Sequence, residues 1–357
     1  MKNAIFARII CGLTLFYAAI THAEPQSPTI FRTLDTNTPP ANIAVSKDGR
    51  IFMSTHLAWG SPHKVVELLD DGSHVPYPDY EFYPPLNGVL GAIVDEKGIF
   101  WFLDTIWGKD GIGRVIGWDI NKNQLYKMFT IARPLVHDAY ILNDMAIDRD
   151  NNAIYITETA DRYTSALLVL DIETGLVRRV LEGSSATIAE DKDLVIDGTT
   201  LQMQGSDARI GVNPITIDVK NEWVYFAPMS GETLYRAKTQ DLLDESLSAE
   251  QLQARVEAYA DKPMGDGITM DKAGNIYVSD LANNAIGVIT TDREYKILAQ
   301  DDDVLSWVEG FATAGKHGIL ATANKLHKSP AFLNQGERPS QFYILQIDPL
   351  AKAVIGR

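Results

Sequence analysis

The chain has 357 residues, of which 45% are hydrophobic, and it carries 47 acidic against 32 basic side chains, for a net charge of −15. This hydrophobic content is sufficient for a substantial core, so the composition excludes a disordered protein. The negative charge argues against nucleic acid and anionic membrane surfaces as partners, because both would repel the chain.

The N-terminal segment predicts export. Two basic residues, Lys2 and Arg8, precede an apolar run over residues 9–20, and the small residue Ala23 follows the run. This order is typical of a secretory signal peptide, and the run is shorter than the roughly 20 residues that cross a bilayer. We expect cleavage after Ala23, no stable membrane anchor, and a periplasmic or extracellular protein with one domain over residues 24–357.

The only cysteine, Cys11, lies inside this N-terminal segment. After cleavage the chain would contain no disulfide, no thiolate metal ligand and no cysteine nucleophile. Its stability would therefore depend on core burial and on hydrogen bonds between strands.

A two-strand pattern recurs along the chain. In each copy an apolar strand ends near Asp or Ser, a turn containing Gly or Asn usually follows, and a second strand is rich in aromatic and β-branched residues. Six copies, spaced by about 56 residues on average, predict an all-β fold, a six-bladed β-propeller around a central channel. The copies occupy residues 42–53, 91–102, 143–156, 213–226, 266–278 and 309–321.

Three further elements are predicted outside the repeats. Residues 29–34 form a strand that pairs with the last blade and closes the ring. Residues 191–198 form an extra hairpin over one mouth of the channel. Ser248 begins a capping-box pattern, and apolar residues follow at helical spacing as far as Tyr259, which predicts a short helix before blade five.

Polar residues at the start of the inner strands are the candidate binding residues, because these strands line the channel of a propeller. Amide and carboxylate oxygens are ligands that Ca²⁺ prefers, so a ring of them is a candidate calcium site. A structural role, in which the same side chains bond loop N–H groups or neighbouring blades, stays open as the alternative. The candidate calcium ligands are Asn143, Asn213, Asp266 and Glu309.

His56 and His137 are the candidate catalytic residues. Each follows a strand or opens a loop, where an imidazole can reach a channel mouth and move a proton. A surface or structural role is the alternative for both. Residues 111–117 imitate a dinucleotide-binding loop but lead into a predicted strand instead of a helix, so we expect no nucleotide cofactor.

Several separated stretches of the chain match one known family. They are residues 40–52, 101–105, 142–148, 154–158, 262–268, 284–286, 307 and 322–326. These stretches resemble the Yellow and major royal jelly protein family, in its bacterial, dopachrome tautomerase-related branch. The resemblance implies a secreted six-bladed propeller whose channel binds small organic molecules, since family members are associated with binding of biogenic amines or with dopachrome conversion. The chain is also similar, at a distance, to calcium-dependent lactonase and gluconolactonase propellers, whose metal is held by Glu, Asn and Asp of channel strands.

The family's Asn-Asp motif falls on Asn143 and Asp144, and its blade-six tryptophan falls on Trp307. The chain departs from the family in having Val308 and Glu309 where Pro-Asp is usual, and it lacks the disulfides of the insect members.

Three functions are open at this point. Presentation of loops to a protein partner is the least specific of them. The first is binding of a small organic molecule, aromatic or amine, with weak tautomerase or isomerase activity. The second is calcium-dependent lactone hydrolysis, in which His56 or His137 moves the proton. The residues expected to bind the ligand are Asn143, Asp144, Asp266, Glu309, Trp307 and Trp107.

Overall fold

A computed structural model describes the fold of most of the chain. The residues that it describes form six four-stranded antiparallel sheets. The first strand of each sheet contacts the first strands of both neighbours, so the six sheets form a closed ring of blades. This confirms the predicted all-β six-bladed propeller. The described residues are 25–79, 81–82, 85–106, 111–137, 140–160, 162–203, 205–333 and 336–357, apart from the side chain of Lys316.

Each of the first five blades follows the order of the chain. Blade one contains Pro40–Val45, Ile51–Thr55, Val65–Leu68 and His74–Pro76. Blade two contains Val89–Val94, Ile99–Ile106, Ile112–Asp119 and Gln124–Ile131. Blade three contains Ile141–Asp148, Ala153–Thr159, Ala166–Asp171 and Val177–Val180. Blade four contains Val212–Ile217, Trp223–Pro228, Thr233–Lys238 and Glu257–Asp261. Blade five contains Ile268–Met270, Ile276–Asp280, Ala285–Ile289 and Tyr295–Gln300.

Blade six joins the two ends of the described chain. Its inner three strands are Val308–Thr313, Ile319–Ala323 and Gln341–Ile347, and its outermost strand is Thr29–Asp35. This outer strand pairs antiparallel with Gln341–Ile347, as predicted. Pairing of an early strand with the last blade closes the ring with hydrogen bonds that connect distant parts of the sequence.

The repeated aspartates that mark the turns have a structural role. The carboxylate of Asp271 accepts hydrogen bonds from the turn N–H groups of Ala273 and Asn275, at 2.9 and 3.0 Å. It also accepts one from the hydroxyl of Tyr277 in the following strand, at 2.8 Å. Asp95 is bonded in the same way to Trp101, which donates from Nε1 at 2.8 Å. The repeat of Asp, turn and aromatic residue therefore stabilises the hairpin between the first two strands.

The inner strands approach one another closely, and glycine makes this possible. A Cβ atom on Gly267 would lie 1.8 Å from the carbonyl oxygen of Glu309 in the next blade. A Cβ atom on Gly91 would lie 2.6 Å from the carbonyl oxygen of Asn143. Both distances are far below van der Waals contact, so the channel is narrow at this level.

Two short helices lie between the third and fourth strands of blade four, Thr239–Leu243 and Ala249–Gln253. Ser248 and Gln251 form the capping box at the start of the second helix, as predicted. The second helix ends before Tyr259, which lies in the outer strand of blade four, because pairing with the third strand takes residues 257–261. The described part of the chain also contains three short 3₁₀ helices, Leu57–Trp59, Gly315–His317 and Leu326–Lys328. Among the described residues, no helix has the length and apolar character needed to cross a membrane.

One mouth of the channel is covered by the connection between blades three and four. This cover segment, residues 190–203 and 205–210, contains a hairpin, Val195–Ile196 with Thr199–Thr200, which is shifted along the chain from the predicted residues 191–198. It also contains a second hairpin that the sequence did not predict, Gln202–Met203 with Ser206–Asp207. Its apolar side chains pack on residues of blades four, five and six. The packed side chains are Leu194, Ile196, Leu201, Ala208 and Ile210 against Met229, Met264, Leu281, Trp307 and Leu326.

The opposite mouth is closed by the last residues of the chain. The N–H group of Leu350 donates to the hydroxyl of Tyr277, at 2.6 Å. The hydroxyl of Thr269 donates to the carbonyl oxygen of Arg357, at 2.6 Å, and Arg357 lines the inside of the channel. The cavity that remains in the channel is about 20 Å³, which is room for a single water molecule.

The predicted signal peptide lies outside the described residues.

Candidate functional site

The candidate polar residues lie in bulges of the inner strands. In blades one, two, three, four and six, two residues of the first strand lie opposite one residue of the second. A β-bulge of this kind redirects side chains from the regular alternation of the strand. Asn143, Asn213 and Glu309 are the first residues of three bulges, and Asp266 precedes the inner strand of blade five.

In several blades, a hydroxyl group of the second strand lies opposite the bulge and forms a hydrogen bond to the next blade. The Oγ1 atom of Thr157 accepts a hydrogen bond from the N–H group of Asp144, at 3.0 Å, and donates to the carbonyl oxygen of Asn213 in the next blade, at 2.8 Å. Thr322 does the same between blade six and blade one, with Gly310 and Ala41 as partners. These hydroxyls fix the bulges in position, and with them the polar side chains of the mouth.

Asp266 is at the centre of the covered mouth and is only 6% exposed. Its Oδ1 atom accepts from Nδ2 of Asn213 at 2.5 Å, and its Oδ2 atom accepts from Nε1 of Trp307 at 2.7 Å. Burial raises the pKa of Asp266 to about 6, although both hydrogen bonds favour the charged form. Trp307 is itself fully buried, so it holds the carboxylate in place and does not present an open face to solvent.

Glu309 lies on the blade-six side of the mouth. Its carboxylate accepts a hydrogen bond from Nδ2 of Asn324, and Nε2 of His56 lies 3.7 Å from its Oε2 atom. Burial raises the pKa of Glu309 well above its ordinary value, and the negative charges of Asp266 and Asp144 raise it further. Burial and the neighbouring charges therefore favour the neutral form of this carboxyl group relative to an exposed glutamate.

His56 is buried beside Glu309 in neutral form. Burial lowers its pKa to about 3, so the imidazole carries no charge at neutral pH. Its Nδ1 atom accepts a hydrogen bond from the N–H group of Ala58, at 3.1 Å, which places the ring proton on Nε2. The nitrogen that faces Glu309 is therefore a donor, and it is not available as a general base in this tautomer.

Asp144 lies deeper, in the channel. Its Oδ1 atom accepts from Nδ2 of Asn42 at 3.1 Å and from the N–H group of Met145 at 2.8 Å, and its exposed part lines the channel cavity. Burial raises the pKa of Asp144 to about 7, and the charge of Asp266 adds to this effect. Asp144, Asp266 and Glu309 are therefore three acids whose charges influence one another.

Other candidate residues have different surroundings. Asn143 occupies the same bulge position as Asn213 and Glu309, but its Nδ2 atom donates to the hydroxyl of Thr159 in its own blade, at 3.3 Å. The side chain of His137 is 43% exposed, and its Nε2 atom lies 3.3 Å from Oε1 of Glu182. His137 is thus paired with Glu182 and not with any of the three acids of the mouth. Trp107 lies outside the described residues.

The family model for major royal jelly proteins matches residues 88–346 of this chain. The chain belongs to the major royal jelly protein family. A comparison with curated proteins finds no match.

This royal jelly family protein also resembles solved structures of other propellers. A calcium-binding regucalcin from Agrobacterium tumefaciens is 14% identical, with a TM-score of 0.58 over 94% of this chain and 100% of that chain. A luciferin-regenerating enzyme is 11% identical, with a TM-score of 0.59 over 93% and 98%. A gluconolactonase from Xanthomonas campestris is 11% identical, with a TM-score of 0.53 over 91% and 95%. At these identities the likeness shows the fold alone, and it confirms the expected distant similarity to lactonase-type propellers.

The amide and carboxylate oxygens at the mouth are ligands of the kind that calcium prefers. The side chains are not arranged around a common point, as the ligands of a bound metal ion would be. In the part of the chain that the structure describes, no three His, Cys, Asp or Glu side chains are grouped so as to hold a metal ion. Asn213 and Asn324 direct Nδ2 towards the carboxylates of Asp266 and Glu309. Rotation of these amides by half a turn would present their oxygens, which with the two carboxylates suit Ca²⁺.

Asn324 is a site residue that the sequence did not single out. It lies in the family-like stretch 322–326, but the candidate ligands were expected only at the start of the first strand of each repeat. The available signal was in the second strand. Asn324 follows the hydroxyl residue Thr322 by two positions, and His56 follows Ser54 by the same interval. Both residues thus reach the same mouth, next to Glu309.

Proposed function

We propose that this protein binds a small organic cation at the covered mouth. The observation that carries the proposal is the set of three carboxyl groups of Asp144, Asp266 and Glu309, all with a raised pKa. Their hydrogen-bond partners at the mouth are neutral amides, an indole and a backbone N–H group. Buried acids of this kind gain from a positive charge, because a nearby cation favours their ionised form.

A ligand with an ammonium group and an apolar remainder suits this mouth, which has carboxyl groups below and apolar side chains above. The acids would bind the ammonium group, and the apolar residues above them would contact the rest of the ligand. Weak tautomerase chemistry at this mouth remains part of the proposal, with a carboxyl group of raised pKa available to exchange a proton near neutral pH. His56 would assist as a hydrogen-bond donor from Nε2.

The test compares 2-phenylethylamine with its neutral analogue 2-phenylethanol in thermal-shift and calorimetric titrations. We expect only the amine to stabilise the protein, and we expect it to release protons at pH 6 to 7 as the acids ionise. Asp266→Asn should abolish the shift, whereas Asp292→Asn, at an exposed turn of blade five, should leave it unchanged. Equal binding of the alcohol, or full binding by Asp266→Asn, would contradict the proposal.

Calcium-dependent lactone hydrolysis is the second candidate. It is favoured by the proximity of Asn213, Asp266 and Glu309, and by the fold likeness to a calcium-binding regucalcin and a gluconolactonase. A bound Ca²⁺ would polarise the carbonyl group of a lactone. A melting temperature that rises with CaCl₂ and falls with EGTA, together with hydrolysis of glucono-δ-lactone, would favour this candidate. Insensitivity to both reagents would exclude it.

We also propose that the protein is exported, on the basis of the sequence of residues 1–23. The expected mature N-terminus is Glu24. N-terminal sequencing of the protein recovered from the periplasm and from the medium tests this, and it distinguishes the two locations. Recovery of the uncleaved chain from the cytoplasm would contradict it.

A further inference from the structure

The acids of the covered mouth are closed off from both ends of the channel. Asp266 and Asn213 are 6% and 5% exposed, under the cover segment. At the other end, residues 350–357 cross the opening, and Arg357 lines the channel. The cavity that Asp144 and Arg357 line between these ends has a volume of about 20 Å³, which is room for about one water molecule. An organic ligand therefore cannot reach Asp266 unless one of the two closures moves.

The cover segment is attached at both its ends to one residue of blade four, Ser230. The N–H group of Glu190 donates to the carbonyl oxygen of Ser230, at 2.8 Å. The N–H group of Ile210 donates to its Oγ atom, and the N–H group of Ser230 donates back to the carbonyl oxygen of Ile210, both at 3.0 Å. Both ends of the cover segment thus meet at one point on the rim of the mouth.

The tip of the cover segment contacts the far side of the mouth through Asp197. Asp197 and Gly198 form the two-residue turn of the first hairpin, and both have positive φ angles, of 50° and 73°. The Oδ1 atom of Asp197 accepts from Nδ2 of Asn284 in blade five, at 3.0 Å. Its Oδ2 atom lies 3.4 Å from Nε2 of His327, which follows the second strand of blade six.

Between these attachments the cover segment makes its backbone hydrogen bonds mainly with itself. The N–H group of Leu201 donates to the carbonyl oxygen of Leu194, and the N–H group of Ala208 donates to that of Leu201. The segment rests on the propeller through apolar side chains and through polar contacts near its first residues. Lys192 pairs with Glu232 of blade four, and Asp191 accepts a hydrogen bond from Arg162 at 3.0 Å. Lifting of the segment would break these side-chain contacts, but no backbone hydrogen bond between the strands of a blade.

We propose that the cover segment is a gate over Asp266, hinged at Ser230 and latched by Asp197. A direct chain of contacts connects latch and site. The ring of His327 is stacked at 6.0 Å from that of Trp307, and Trp307 donates to Asp266. The role of the gate in ligand access rests on the proposed function, whereas its opening is a property of the free protein.

Hydrogen exchange with mass spectrometry on the free protein tests the opening. Asp197→Gly removes the latching carboxylate and keeps a residue that tolerates the positive φ angle. One lost hydrogen bond predicts exchange in peptides covering residues 194–210 that is about two- to tenfold faster, with the blades unchanged. Asn284→Gly removes the partner from blade five and should give the same result. Asn152→Gly, also at a positive φ angle in an exposed turn, is the matched control.

Unchanged exchange in both latch variants would overturn the gate, as would acceleration of the same size in the control. Stopped-flow binding of 2-phenylethylamine then tests access. We expect the association rate to increase in the latch variants by the same factor as the exchange rate. Faster exchange with an unchanged association rate would overturn the gate as the route of entry. Absence of amine binding in every variant would instead contradict the proposed function and leave the exchange result to decide the gate.

Discussion

Replacement of Thr157 by valine tests whether the hydroxyl groups opposite the bulges hold the ring together. Valine has nearly the same shape as threonine, so the change removes the hydroxyl and creates no cavity. Two hydrogen bonds are lost, from the N–H group of Asp144 and to the carbonyl oxygen of Asn213. Thr157 is fully buried, so both groups lose a partner inside the protein.

The expected loss follows from the cost of burying a polar backbone group without a partner, about 1 to 3 kcal/mol each. Partial relaxation of the bulge would recover some of this, so we expect Thr157→Val to lower the free energy of unfolding by roughly 2 to 4 kcal/mol. Urea unfolding followed by tryptophan fluorescence measures the loss, provided that the transition is cooperative and its slope is unchanged.

The control is Thr130→Val, at an exposed position in the outer strand of blade two. A surface change of this kind should stay within about 0.5 kcal/mol of the wild type. If Thr157→Val were no more destabilising than Thr130→Val, the hydroxyl would not be what joins blade three to blade four. The other hydroxyl groups opposite bulges, such as that of Thr322, would then not be expected to join neighbouring blades either.

Three further predictions concern the mouth. Because the pKa values of Asp266 and Asp144 are raised, to about 6 and about 7, the folded state binds protons that the unfolded state has released, so stability should fall as the pH rises from about 4 to 7. A melting curve at each pH checks this, and Asp266→Asn should make the decline between pH 4 and 6 shallower without removing it, because Asp144 and Glu309 also bind protons there. Gly267→Ala would place a methyl group 1.8 Å from a blade-six carbonyl oxygen and should prevent or severely weaken folding, whereas Gly88→Ala, where the nearest atom is 3.4 Å away, should be tolerated; circular dichroism melts of both variants decide this. Trp307→Phe removes the indole donor and should raise the pKa of Asp266 further, because the charged form loses a hydrogen bond; an unchanged carboxyl titration by NMR would contradict this.

The number of blades, their strand pattern and the closing strand could be read from the sequence. These features are local or periodic: the alternation of apolar residues, the Asp-centred turns and the spacing of the copies each leave a signal within a few residues. The same periodicity identified Asn213, Asp266 and Glu309, because equivalent positions of a repeat face the same mouth of a propeller. The family resemblance rested on these same stretches, and the family match over residues 88–346 confirms it.

The tertiary structure decided which of these polar groups meet, and what lies over them. Asn143 and Asp144 are adjacent in sequence, yet the bulge directs one to its own blade and the other into the channel. The placement of His56 beside Glu309 depends on the contact between the first and last blades, and Asn324 reaches the same carboxylate from the second strand of blade six. The cover segment has no counterpart in the repeat. Its own residues predicted a hairpin there, but not the contacts that the hairpin makes.

These decisions depend on distances between residues far apart in the chain. A repeat pattern specifies the blade, whereas closure of the ring brings six blades together and fixes burial at its centre. Burial then sets the chemistry of the mouth, since it raises the pKa of Asp266 and lowers that of His56. The sequence by itself determined the fold and placed Asn213, Asp266 and Glu309 at the mouth, and only the closed ring determined their charge, their partners and the segment that covers them.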